Sequence, residues 1–126
     1  MAKRKPAHRE PKHKAKAQKI PPSVATARAK IRATAPKLLA YTENLIFGDV
    51  WESRELSKRD RSLITIAALV ALYRTGQLAG NIERGIDNGL TREEIIGVIT
   101  HMAFYSGWPT AMEAAQIATE VFGRYR

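Results

Sequence analysis

The feature that most limits how this chain can fold is the run from Leu63 to Tyr73, in which Thr65 is the only polar interruption. The residues before it, Ser57 to Arg61, are helix-compatible, and Ser57 with Asp60 three positions on forms a weak capping-box pair. A helix that is apolar on every side cannot face water, so this segment must lie inside a bundle or against another subunit. The run is bounded by charges and falls short of the ~18 apolar residues a membrane span needs.

Two further helical segments come after short turns. Thr75-Gly76 is read as the break, and GQLAGNIERGIDN then places Leu78, Ile82 and Ile86 on one face. Asn88-Gly89 supplies a left-handed stop. Thr91 caps the next helix with Glu94 as its capping-box partner, and Ile95, Val98, Ile99, Met102 and Tyr105 are expected on its buried face. Ser106-Gly107-Trp108-Pro109 reads as a tight corner, because the residue before proline disfavours helix. The last helix then carries Met112, Ala115, Ile117, Ala118, Val121 and Phe122 on its apolar side. Upstream, Ser23 is a candidate N-cap after Pro-Pro, and Pro36 suits the first turn of a helix running to about Val50. No alternating strand pattern occurs, so the chain is expected to be all-α.

Charge divides the molecule. Residues 1–32 hold 11 Lys and Arg against the single acid Glu10, whereas the remaining 94 residues hold 10 basic and 11 acidic side chains. The formal charge of +9 therefore belongs to the N-terminal tail, and the body is nearly neutral. Residues 1–22 lack the apolar content to offset their ordering entropy and are expected to be disordered, with a helical domain over residues 23–126. The tail reads as a solubilising segment, a targeting element, or an arm for a polyanion such as nucleic acid through phosphate neutralisation. It has no aromatic side chain to stack on bases. With no apolar leader segment, a cytoplasmic protein is expected.

The chain has no Cys, which excludes disulfides, thiolate metal sites and thiol redox chemistry. Its three His are His8, His13 and His101, and only His101 lies in the body, so no metal cluster is expected. His101 is the one body side chain that ordinarily titrates near neutrality, which makes it the candidate acid/base group or else a structural helix histidine. Arg61 offers a bidentate fork for a carboxylate, or a solvated charge among Lys58, Arg59 and Asp60. Gln77 and Asn81 lie four apart on one helix face, where they either orient a substrate or face solvent. Trp108 lines a pocket or plugs the corner. Gly80 and Gly85 in a helix interior imply close helix packing or room for a ligand.

Arg61-Ser62-Leu63 opening a long apolar helix, Asp87-Asn88-Gly89-Leu90-Thr91, His101, the run Phe104 to Pro109, and Ala111 together resemble the carboxymuconolactone decarboxylase family over about Pro36 to Phe122. The resemblance implies an alkylhydroperoxidase D-like helical bundle built on an antiparallel helix pair and assembled into trimers or hexamers, with the basic N-terminal tail outside it. The family contains thiol peroxidases that use a Cys-x-x-Cys pair with His and Glu, and decarboxylases acting on a lactone acid without a metal or organic cofactor. The peroxidase positions correspond here to Arg74, Gln77, Asn81 and Ser62, so the sulfur nucleophile is missing. The decarboxylase branch usually carries a His where this chain has Asn81. The expectation is a cofactor-free lyase acting on a small carboxylate or lactone, with His101 as acid/base and Arg61, Gln77, Asn81 and Trp108 binding substrate. The rival expectation is a non-catalytic oligomeric scaffold displaying its basic tails to polyanions.

Overall fold

A computed structural model describes residues 20–125. Among these are six α-helices and no strand: α1 Pro22–Thr34, α2 Pro36–Tyr41, α3 Lys58–Ala71, α4 Leu78–Asp87, α5 Arg92–Ser106 and α6 Trp108–Arg124. The all-α expectation holds. Residues 1–19 of the expected disordered tail lie outside the described residues. Its last three are within them, and there Pro21 is buried and Pro22 begins α1.

Four helices form the main core. Ile66 and Val70 of α3, Leu78 and Ile82 of α4, Ile95 and Ile99 of α5, and Ala114, Ala118 and Val121 of α6 are buried together. Burial of each large aliphatic side chain stabilises by about 1.5–3 kcal/mol. The helix starts obey local chemistry. Ser57 Oγ accepts from the Asp60 amide at 3.0 Å. Thr91 Oγ1 accepts from the Glu94 amide at 3.1 Å while the Glu94 carboxylate accepts from the Thr91 amide at 2.9 Å, a complete capping box. That geometry holds the Glu94 carboxyl below its ordinary range, chiefly through the Thr91 backbone bond.

The helix stops are equally local. Gly89, at φ 101°, closes α4: its amide donates to Ile86 O and the Leu90 amide donates to Gly85 O. These are the two bonds of a Schellman motif. The end of α3 differs from expectation. Tyr73, not Thr75-Gly76, takes the left-handed conformation (φ 56°), with its amide bonded to Val70 O and the Arg74 amide to Leu69 O. A bulky residue there is strained, and its hydroxyl is tied to the Glu113 carboxylate of α6.

Three other expectations change. Ser23 is not the cap of α1, which begins one residue earlier behind Pro21; its hydroxyl instead donates to Glu83 at 2.7 Å. The helix expected from Pro36 to about Val50 is interrupted, since Thr42–Ile46 is a π-helical turn and Val50–Glu52 a separate 3-10 turn. In the widened turn Phe47 N–H bonds to Thr42 O, and Thr42 Oγ1 donates back to Leu38 O. Finally, Tyr105 and Met112 are exposed rather than buried. α5 is apolar on more than one side, so periodicity alone could not choose its inner face. The small residues Ala103, Ala111, Ala114 and Ala118 let α5 and α6 approach there instead.

Substituting Thr91→Ala removes the cap of α5 and should cost about 1 kcal/mol. Denaturant unfolding reads this directly, and an unshifted midpoint would mean that the capping box contributes nothing.

Candidate functional site

Helix α4 is buried on both sides. Leu78 and Ile82 face the core, while Glu83 and Arg84, charged and nearly inaccessible, come one after the other in the same helix. They are satisfied differently. Glu83 accepts from Ser23 Oγ of α1 and from Arg124 Nη2 of α6 at 3.3 Å. Arg84 has no carboxylate within ion-pair distance among the described residues. It is 4% exposed. Its Nη1 donates to Asn81 Oδ1 at 3.3 Å, and its Nε is buried without a hydrogen-bond partner. The guanidinium lies 4.2 Å from the centre of the Phe47 ring and 5.7 Å from that of Trp51.

A second guanidinium meets the same ring. Arg28 of α1, 9% exposed, lies 4.7 Å from the Phe47 centroid. Phe47 reaches both cations because the π-helical turn advances the chain before it, and it rests on Trp51 with centroids 5.6 Å apart. Burial pushes the Arg84 guanidinium down to about 10, with the nearby charge of Arg28 acting in the same direction and Asp87 opposing. Burial also lowers Arg28, against the pull of Glu43.

Both arginines line a cavity of about 470 Å³ between α1, α2 and α4. That volume suits a small organic molecule. Apolar walls come from Ile31, Leu38, Leu39 and Ile46, and polar groups from Thr42, Thr65, Gln77 and Asn81. α1 sits tightly over α4, since a methyl group added at Gly80 would meet Val24 Cγ2 at 2.6 Å. Gly80 and Gly85 thus serve close helix approach, Gly85 against Leu90 and Ile66.

Of the residues singled out in the sequence, Gln77 and Asn81 line this cavity and Arg61, His101 and Trp108 do not. Asn81 is held at both ends, donating from Nδ2 to the Gln77 carbonyl at 2.8 Å and accepting from Arg84. Arg61 donates to the Ser53 carbonyl at 3.0 Å and lies 3.7 Å from Glu55, tying the loop before α3 to that helix. His101 is exposed on α5 with its ring 4.7 Å from that of Tyr105. Trp108 is exposed and meets Phe104 edge-on at 5.8 Å. Sequence reasoning missed Arg84, Arg28 and Phe47. The available signal was Arg84 itself, a cation between Ile82 and Ile86 on a helix that the apolar pattern already places inside. No group of three or more His, Asp or Glu positioned for a metal occurs among the described residues, and no described helix is long and apolar enough to cross a membrane.

This chain is similar in sequence to known proteins. It is 35% identical over 82 residues to the 4-carboxymuconolactone decarboxylase of Acinetobacter baylyi, covering 65% of this chain and 61% of that protein. It is 32% identical over 68 residues to the nitrosuccinic acid decarboxylase of Metarhizium robertsii, covering 54% and 48% respectively. The matched segments thus span about half to three fifths of these relatives. A family match extends over residues 36–120, taking in α2 to α5 and most of α6, with Gln77, Asn81 and Arg84, and leaving α1 outside. On that match, this chain belongs to the carboxymuconolactone decarboxylase family.

Proposed function

We propose that this protein decarboxylates a small organic acid in the cavity between α1, α2 and α4, without a metal or organic cofactor. The observation that carries the reading is Arg84: a buried cation with no carboxylate partner among the described residues, an unpartnered Nε and a ligand-sized cavity in front of it. An internal anion would ordinarily accompany such a charge, because leaving it alone is costly. An acidic ligand supplies one. Two relatives named as decarboxylases support the reaction type.

In the reaction, the bond between the departing carboxylate and its carbon breaks, and the electron pair moves into an adjacent carbonyl or similar acceptor. Carbon dioxide leaves, and the resulting anion takes a proton at carbon. A cation accelerates this only where charge develops, not where it disappears. Arg84 therefore acts on the acceptor oxygen, as a preorganised donor to the forming enolate-type anion. The Arg84 fork also holds the departing carboxylate in the bound state, so the guanidinium keeps an anionic partner as the charge passes to the acceptor oxygen. Asn81 positions the Arg84 fork, Gln77 orients the ligand, and water returns the proton. His101 stands outside this scheme within one subunit.

The subunit works as a homo-oligomer, a trimer or hexamer. Phe104 and Tyr105, each 75% exposed, together with Trp108 and Met112, form an apolar surface on α5 and α6 that a second copy covers. Light scattering on the purified protein should return a multiple of 14.0 kDa, and a stable monomer would contradict the assembly.

Carbon dioxide release from 4-carboxymuconolactone and from nitrosuccinate tests the activity, and release from neither would remove these two acids as substrates. Arg84→Met should lower kcat/KM by about 10²–10³, the loss typical of one oxyanion donor. The same change should raise the melting temperature. The folded-state value near 10 lies below the ordinary guanidinium range, so the buried cation detracts from stability at every pH below about 10. That cost fades only as pH rises above about 10. His101→Ala is the contrasting variant, expected to retain activity. If it loses as much as Arg84→Met, the proton donor lies on the α5 face and the scheme must change.

A further inference from the structure

The family match begins at residue 36. Helix α1, residues 22–34, therefore lies outside it, yet α1 forms one wall of the cavity. It is seated by specific contacts. Ser23 donates to the buried Glu83, and Val24 packs into the space that Gly80 leaves open on α4. The face so presented carries Arg28.

Arg28 and Arg84 lie on the same aromatic ring, 4.7 and 4.2 Å from its centre, and both are more than nine-tenths buried. Two like charges this close in a partly apolar cavity repel, and screening by water is weak there. Glu43 is the acid acting on Arg28, but its carboxylate is engaged by Arg32. Glu83, next in sequence to Arg84, is turned away to Ser23 and Arg124. Among the described residues, the cavity thus holds two cations and lacks a lining carboxylate.

We infer that Arg28 is a specificity-determining residue supplied by a helix outside the family segment, and that it sets the charge of the ligand by adding a second anion-binding group beside Arg84 in the cavity. The inference rests on the reading of the cavity as an acid-binding site, though not on decarboxylation itself. A ligand with one acid group neutralises one guanidinium and leaves the other buried and unpaired. A ligand with two neutralises both. Discrimination arises from the penalty on the unpaired cation as well as from the added contact.

Calorimetric titration of the full chain at low ionic strength with succinate and with butyrate tests this, since the two share a four-carbon length and differ by one carboxylate. The wild-type protein should bind succinate about tenfold or more tighter, the worth of one charge-assisted bond. Arg28→Gln should bring the two acids within about threefold of each other, with butyrate affinity little changed. Arg28→Lys, which keeps the charge, should retain the preference for succinate. A wild-type protein that does not discriminate, or an Arg28→Gln variant that weakens both acids equally, would overturn the role of Arg28 and leave the acid site standing. Binding of neither acid by the wild type would overturn the site and this inference together. Carbon dioxide release is read separately, so failure of the reaction and failure of the second charge are distinguishable.

Discussion

Helix α4 carries buried side chains on two sides, and the architecture answers to that constraint. Its apolar residues Leu78 and Ile82 require α3, α5 and α6 on one side. Its adjacent charges Glu83 and Arg84 require something polar and shaped on the other. The N-terminal layer of α1, α2 and the two irregular turns meets that demand unevenly. It satisfies Glu83 fully, through Ser23, with Arg124 of α6 as second donor. It gives Arg84 only aromatic faces, to which Asn81 of α4 adds one amide oxygen, and these stabilise a cation less than a carboxylate would.

That imbalance distinguishes a site from a structural ion pair. Had Glu83 turned towards Arg84, the two would have closed a buried salt bridge and the cavity would be electrically quiet. Their side chains leave α4 in different directions because successive residues are about 100° apart around a helix. The π-helical turn at Thr42–Ile46 contributes to the same end. One extra residue in the turn rotates the downstream chain, and Phe47 and Trp51 come to lie beneath the Arg84 guanidinium, with Arg28 sharing the Phe47 ring. Such turns recur at functional sites because they give up local regularity to place a side chain.

A chain of this kind also carries two surfaces of different character. The cavity side is cationic and concave, half open to solvent. The α5–α6 side is broad, aromatic and open, with His101, Phe104, Tyr105 and Trp108 along it. The most recognisable stretch of sequence thus contributes none of the cavity-lining residues, which separates what marks the family from what binds a ligand in one subunit.

Local chemistry written along the chain determined a good deal. Thr91 with Glu94 and Asn88-Gly89 specify helix ends through bonds between near neighbours and formed as read, while of the Ser57–Asp60 box only the bond from the Asp60 amide to Ser57 Oγ formed. The absence of Cys removes thiol chemistry whatever the fold. The all-α class came from periodicity, and the family from the residues around His101 and Gly107. Gln77 and Asn81 were legible as a shared helix face because their spacing is four. What only the tertiary structure decided involves partners far apart in sequence. The left-handed stop at Tyr73 and the exposure of Tyr105 and Met112 depend on which of several apolar faces the neighbouring helix chose. The pairing of Arg28 with Arg84 spans 56 positions and two helices, and no pattern along the chain records it. Helix periodicity reports which side of a helix is apolar; which distant charge arrives over that side is set by packing, and here packing put two cations on one ring.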